Sequence, residues 1–291
     1  MRNSSASEPR HGGLWLWLFA ASSGGTVALA LGLALAHSVG VLSWPRSDAF
    51  DFSGWQALLH GHAFWQSLGY SLALTMVSLA LALALALALL IALRERVRSG
   101  LLGRVLYLPL AVPGVVAALL AFVLLGDSGL LARCAHALGL IVAPAEFPAL
   151  IFDRKGRGII LTHLAMITPL FVLLFERLAA HTQLPLLLRH AETLGATRGQ
   201  AWRRVGLPLL LRQAQPVIAV YSVVLLGAFE VPLLIGAAQP SLISVTIQRA
   251  LSGYALTARP FGYAMASLYL MLLIAGWAGL SWRSLRAEVK V

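Results

Sequence analysis

Six stretches of this chain are each long and apolar enough to cross a lipid bilayer. That pattern limits the possible folds more than any single motif does. Crossing a hydrocarbon core of about 30 Å takes roughly 20 residues of helix. Residues 14–42, 66–93, 105–125, 158–178, 216–235 and 261–280 meet the requirement. Lipid offers no hydrogen-bond partners, so each crossing backbone has to pair within itself as a helix. The Leu-Ala alternation over 79–89 has a strand's period, but both residues are apolar, strong helix formers inside a long apolar block. The expectation is an all-α, polytopic transmembrane helical bundle of about six spans. A soluble reading fails because 59% of the residues are hydrophobic and only 11% charged, too few polar groups to cover a water-facing surface.

The charges fall in short clusters between the apolar runs. The formal net charge of +11 therefore reads as membrane topology and not as a nucleic-acid face. With the N-terminus in the cytoplasm, six spans return the C-terminus to the same side. Fifteen of the 22 Lys and Arg then lie in cytoplasmic segments, the sense that the positive-inside rule requires. Residues 1–13, with Arg2 and Arg10, form a cytoplasmic tail. The apolar run after them is too long for a signal h-region and shows no cleavage site before Pro45, so it stays as a helix. Residues 14–291 make one transmembrane domain. Cys134 is the single cysteine, which excludes an intrachain disulfide and a cysteine metal cluster. No phosphate loop, zinc-ligand spacing or hydrolase elbow is present, so no cofactor, metal or catalytic residue is expected.

Two connecting segments are long. The outer one, 126–157, carries Pro144 and Pro148 and a moderately apolar stretch, 130–142, too short to span. The inner one, about 178–213, is the most polar long stretch of the chain. It divides at Gly195, the residue suited to the left-handed conformation of a sharp reversal. Residues 186–194 form one short helix. Thr197 caps a second, with Ala201, Trp202 and Val205 on one face, and Pro208 falls in the first turn of the next helix. Two short helices and a reversal make a rigid knob able to push on a partner.

This loop resembles that of the permease subunits of ABC-type importers fed by a substrate-binding protein. The family pattern is Glu-Ala-Ala, a Gly four residues after the last Ala, and a Leu-Pro whose Pro lies thirteen residues beyond that Gly. Ala191, Gly195, Leu207 and Pro208 fit it, with Val205 where Ile or Val is usual. Thr193-Leu-Gly-Ala196 and Ala201-Trp-Arg-Arg-Val205 are also similar to the family, as are stretches at 108–113, 126–129 and 227–232. The resemblance runs from about Phe64 to the C-terminus. Arg189 stands where the family has its glutamate and His190 at the first Ala, while Glu192 is displaced by three residues.

The resemblance implies a bacterial inner-membrane permease that does no covalent chemistry. Ala191, Glu192, Gly195, Ala196, Trp202, Arg203, Val205, Leu207 and Pro208 form its ATPase-coupling loop. The implied partners are a cytoplasmic ABC ATPase dimer, a second and non-identical permease, a periplasmic solute-binding protein and membrane lipid, with no nucleic acid. The solute is small, and the stretch around Glu230 and the overall length look most like the polyamine-type group, which shades into the iron, thiamine and phosphonate importers. An ordinary basic inner loop resting on anionic lipid headgroups would also explain Arg198, Arg203 and Arg204.

Within the spans, Glu230 is the one carboxylate well inside an expected helix, with Pro232 two residues on. Such a charge is costly and faces the bundle or water. Glu230 either lines a translocation path, with Pro232 bending the helix there, or is a structural carboxylate, paired to a neighbouring hydroxyl or protonated at the helix's outer end. Pro109, Pro113 and Gly114 bend the start of the third span. A lone buried histidine such as His163 is more often hydrogen-bonded structure than a ligand. Trp15, Trp17, Trp44, Trp277 and Trp282 sit near span ends as interfacial anchors. The alternative from another class is a secondary transporter or channel driven by an ion gradient, which would usually carry more ionisable groups in its spans.

Overall fold

The computed structural model describes residues 11–42, 50–143, 146–253 and 259–288. Arg2, Arg10, Trp44, Pro45, Arg46, Pro144 and Lys290 lie outside the described residues, as do the side chains of Trp282, Arg283 and Arg286. Among the described residues there are thirteen α-helices and no strand. Six of the described runs are long and apolar enough to cross a bilayer: Trp17–Ser38, His62–Arg98, Gly114–Ala137, Arg157–His181, Arg198–Leu226 and Arg259–Gly279. The protein is an all-α, multi-pass membrane protein. Its chain divides into two compact units, Met1–His62 with Ile247–Ala278, and Ala63–Thr246 with Gly279–Val291.

In the first unit, α1 (His11–Ser38) stops at Gly40, whose φ of +82° lets the chain reverse while Val41 N–H donates back to Ala36 O at 3.0 Å. The Trp55 indole on α2 (Ser53–His60) donates to Ser38 Oγ at 3.0 Å, and His37 stacks on Tyr263 of α13 (Arg259–Glu288) at 4.5 Å. A Cβ on Gly54 would meet the backbone of Pro260 and Phe261 at 3.1 Å, so glycine permits the close approach there.

The second unit is built around α3 (His62–Ser99) and α7 (Arg157–His181). The Leu-Ala run of α3 is helical, and helical spacing sorts its residues. Ser71, Ser78, Ala82 and Ala86 are buried on one face, while Leu81 and Leu85 point outward. Without water, helices associate through small and polar residues that allow close packing, and leucine gains as much from lipid. Ala82, Ala86 and Leu90 pack with Phe171, Val172 and Phe175 of α7 and with Leu210 and Ala214 of α10 (Leu207–Leu226). Ser71 Oγ accepts from Ile243 N–H at 2.8 Å, satisfying the first turn of α12 (Ile243–Ser252). A second cluster joins α5 (Gly114–Leu125), through Ala118 and Ala121, to Ile159 and to Val231 and Ile235 of α11 (Glu230–Ile235).

Two spans differ from expectation. The third does not start at 105. After α4 (Leu101–Val105) come a tight turn at Pro109–Ala111 and an extended Val112–Pro113, and α5 begins only at Gly114. Two prolines four residues apart remove two donors and push the residues before them out of helical conformation. Twelve residues cover about 18 Å, so the run reaches membrane length only with α6 (Leu130–Ala137) after the turn at Gly126–Gly129. The fifth span does not cover 216–235. It starts at Arg198 and ends at Leu226, and Glu230–Ile235 is a separate short helix after a break at Gly227–Phe229.

Candidate functional site

The segment between the fourth and fifth spans is shaped by local backbone signals. Helix α8 (Leu184–Thr193) ends in a pair of reversed hydrogen bonds: Ala196 N–H donates to Ala191 O at 3.1 Å and Gly195 N–H to Glu192 O at 3.0 Å. That six-to-one, five-to-two pattern is the Schellman stop. It places Gly195 in the left-handed position, with φ +92°, and sets Ala191 opposite Ala196, both half-buried. The Ala191-to-Gly195 spacing therefore has a physical meaning: a helix end whose two flanking alanines face each other across the reversal. Glu192 is exposed, and Leu194, at the turn itself, is 88% exposed.

Helix α9 (Arg198–Ala201) then starts on a capping box. Thr197 Oγ1 accepts from Gln200 N–H at 3.3 Å and Gln200 Oε1 accepts from Thr197 N–H at 3.0 Å. Gln200 escaped the sequence reading, although Thr-x-x-Gln is a recognised start signal. Ala201 is buried and Trp202 and Val205 half-buried, while Arg203 and Arg204 are exposed, so the expected apolar face is present.

The expected new helix at Pro208 is not. The backbone continues from Arg198 to Leu226 through one widened turn, Trp202–Gly206, with Leu207 and Pro208 half-buried just beyond it. Proline has no N–H and would clash with the carbonyl four residues earlier in a regular helix. A π-type turn absorbs both defects without ending the helix. Gly206 allows it, because a Cβ there would lie 2.7 Å from the Trp202 ring.

At the far end of this run lies a cavity of about 400 Å³, lined among others by Pro109, Gly114, His163, Tyr221, Gly227 and Glu230. Glu230 is the first residue of α11 and not mid-span, and it is exposed. Its Oε2 would sit 3.2 Å from a Cβ on Gly114, so the missing side chain lets the carboxylate approach the first turn of α5, where unpaired N–H groups favour an anion. No hydroxyl partner holds Glu230 among the described residues. Pro232 is buried in the first turn of α11, where its missing N–H costs nothing. His163 is buried and lines the cavity, and its Nδ1 has no hydrogen-bond partner among the described residues. Thr162 instead bonds within its helix, to Gly158 O at 2.8 Å.

A polytopic helical protein with such a knob between two spans has the architecture of a transport permease. The chain belongs to the family described as binding-protein-dependent transport system inner membrane component, whose model matches residues 84–278. It is 29% identical over 274 residues to the thiamine transport system permease protein ThiP of Brucella suis biovar 1 (strain 1330), an alignment covering 93% of this chain and 46% of that protein. The chain thus spans about half the length of that relative. Its fold is similar to that of a chain in the crystal structure of a bacterial ABC transporter importing the acidic polysaccharide alginate, with TM-score 0.60, 20% identity, and coverage of 93% and 96% of the two chains. A chain from the bacterial alginate ABC transporter in complex with its alginate pentasaccharide-bound periplasmic protein gives TM-score 0.59 at 19% identity, covering 93% and 95%. The family is a transport component and not a catalytic enzyme.

Proposed function

We propose that this chain is the permease subunit of an ATP-driven ABC importer in a bacterial inner membrane. It pairs with a second, non-identical permease, two cytoplasmic ATPase subunits and a periplasmic binding protein that delivers a small solute. Both termini and the segment 178–213 face the cytoplasm, in line with the basic residues. The observation that carries the reading is the knob itself: α8 stopped at Gly195, α9 started at Thr197, and Leu194 and Glu192 presented outward between two spans.

The backbone supplies a route for the motion. Helix α9 continues into α10 as one run of 29 residues, about 43 Å of helix. Its far end meets the break at Gly227–Phe229 and the cavity holding Glu230. When ATP closes the ATPase pair, a push on α8 and α9 travels along this rod and re-opens the cavity toward the binding protein, which is alternating access. Glu230 and Pro232 lie on the path. A carboxylate there favours a positively charged solute. A polyamine is the first candidate, and thiamine, which gives the Brucella relative its name, is also a cation.

Affinity purification of the tagged chain from native membranes in mild detergent, followed by mass spectrometry, tests this. An ATPase subunit and a second permease are expected with the wild type, and the ATPase is lost when Gly195 is changed to valine. An intact, stable chain recovered alone, or transport that survives ATP depletion and collapses with an ion gradient, would replace the reading with a secondary transporter. Glu230→Gln is expected to slow uptake of cations while leaving ATPase recovery unchanged. Normal uptake across a solute panel would remove Glu230 from the path.

A further inference from the structure

At the opposite end of α10 from Glu230, a cavity of about 620 Å³ lies between the end of α3 and the knob. Ile91, Leu93 and Leu188 give it an apolar part, and four arginines line it: Arg94 and Arg96 from α3, Arg189 from α8 and Arg198 from α9. Two carboxylates share the lining, Glu95 and Glu192, and Glu95 pairs with Arg98 at 3.2 Å. The balance is positive. The Arg94 Nε is shielded from solvent yet has no hydrogen-bond partner among the described residues. A guanidinium donor buried without an acceptor is costly, and an incoming anion would relieve it.

The backbone around the cavity is irregular on both sides. Leu93 breaks the helical conformation of α3 at φ −126°, ψ 18°, just before Arg94. Across the cavity, Trp202 opens the widened turn that leads into α10. An occupant would touch the end of one span and the base of the knob together.

We propose that this cavity seats the headgroup of an anionic phospholipid. Its phosphate would be held by Arg94, Arg189 and Arg198, and the start of its acyl chains would rest on Ile91, Leu93 and Leu188. The chemistry required is a phosphate beside hydrocarbon. Arginine matches phosphate with paired donors, and basic pockets at the inner ends of spans recruit such headgroups. A free phosphate would use the arginines but leave the apolar lining uncovered. The inference rests on the proposed inner-face placement of segment 178–213, and it adds a brace between the knob and α3 that depends on lipid composition.

Native mass spectrometry of the full chain, with whatever partners it keeps, gives the test after purification from native membranes in mild detergent. The expected result is retained phosphatidylglycerol or cardiolipin. Occupancy falls about tenfold in Arg94→Gln/Arg189→Gln, the scale of losing charge-assisted contacts, falls less in Arg94→Lys/Arg189→Lys, which keeps the charge but not the paired donors, and is kept in the control Arg212→Gln. The idea is overturned by a chain carrying no anionic lipid, by equal retention of phosphatidylethanolamine, or by equal loss in Arg212→Gln, which would mean a diffuse basic belt. Should the glutamine pair misfold, wild-type chain in phosphatidylcholine nanodiscs decides the question. Phosphatidylglycerol is expected to raise its Tm where the same concentration of inorganic phosphate does not, and an equal rise with phosphate would assign the site to a free anion. Lipid retained with no ATPase recovered would count against the importer reading and leave the lipid site standing. ATPase recovered with no anionic lipid would do the reverse.

Discussion

Between Arg157 and His181, the side chains of Phe171, Val172, Phe175 and Ala179 reach no solvent at all. In the next twenty or so residues burial nearly disappears. Over 182–200 Leu184 is buried, the other side chains are half-buried or open, and Leu194 is 88% exposed. Helix α7 gets its position from neighbours far away in sequence, on α3 and α10. The knob gets its shape from its own backbone, through one Schellman stop and one capping box spanning ten residues. Damage to the first region should unfold the protein. Damage to the second should leave a folded protein that no longer transmits.

The largest effect is expected from Phe171→Ala. The ring is fully buried, 6.0 Å from Phe175 and 5.7 Å from Tyr221. Its removal leaves a void among three helices and costs about 3–5 kcal/mol on the scale of buried Phe truncations. Thermal unfolding in detergent should show a large drop in Tm and a poor yield. A variant with wild-type stability would mean that α7 is not the scaffold it is taken to be.

Gly195→Val comes next. A β-branched residue at φ +92° is strained by roughly 1–2 kcal/mol whatever space surrounds it, and nothing lies within 4 Å to clash. The strain sits in the stop and not in the core. ATPase recovery is expected to fall sharply while Tm moves by only a few degrees. A Tm loss as large as that of Phe171→Ala would erase the distinction between the two regions.

The same division decides what could be read from the chain alone. Local signals were legible: Gly195, Thr197 and the Ala201–Trp202–Val205 face follow from conformational preference and helical spacing, and the second, fourth and sixth spans follow from hydropathy. The end of the fifth span was not legible. Hydropathy runs on across Gly227, and glycine is common inside membrane helices; the break comes from packing of Val231 and Ile235 into the cluster with α5, a contact between distant segments. The π-type turn was missed for a related reason. Pro208 signals a helix start just as readily, and only the fit of the Trp202 ring over Gly206 selects continuation. The charge of Glu230 marks it in the sequence, but the break at Gly227–Phe229 that puts it at the start of α11 leaves no sign in hydropathy. The cavity of arginines was hidden altogether, since it joins residues 94 and 96 to 189 and 198.

A smaller effect belongs to Thr197→Ala. It removes one of two reciprocal cap bonds, worth about 1 kcal/mol. Helix α9 would fray at its first turn while the rod beyond Trp202 stays intact. Partial loss of coupling is expected, with Thr197→Ser restoring it, because serine keeps the accepting oxygen. Failure of serine to rescue would point to the threonine methyl instead of the cap.

The sharpest case is Leu194→Ser, whose expected effect on stability is close to zero. A large apolar side chain left almost wholly in water gains nothing from the fold, so its loss cannot unfold the chain. A leucine kept at the tip of a rigid reversal, between exposed Glu192 and Gly195, has a use only if something covers it. An ATPase groove would gain about 1.5–3 kcal/mol from burying it, roughly a tenfold to hundredfold change in complex affinity. The variant should therefore show wild-type Tm and a weakened complex, the reverse of Phe171→Ala. Unchanged complex recovery would move the contact from the apolar tip to the charged face of α8 around Glu192. A fall in Tm would show that the tip packs against this chain itself, and the knob would then belong to the scaffold.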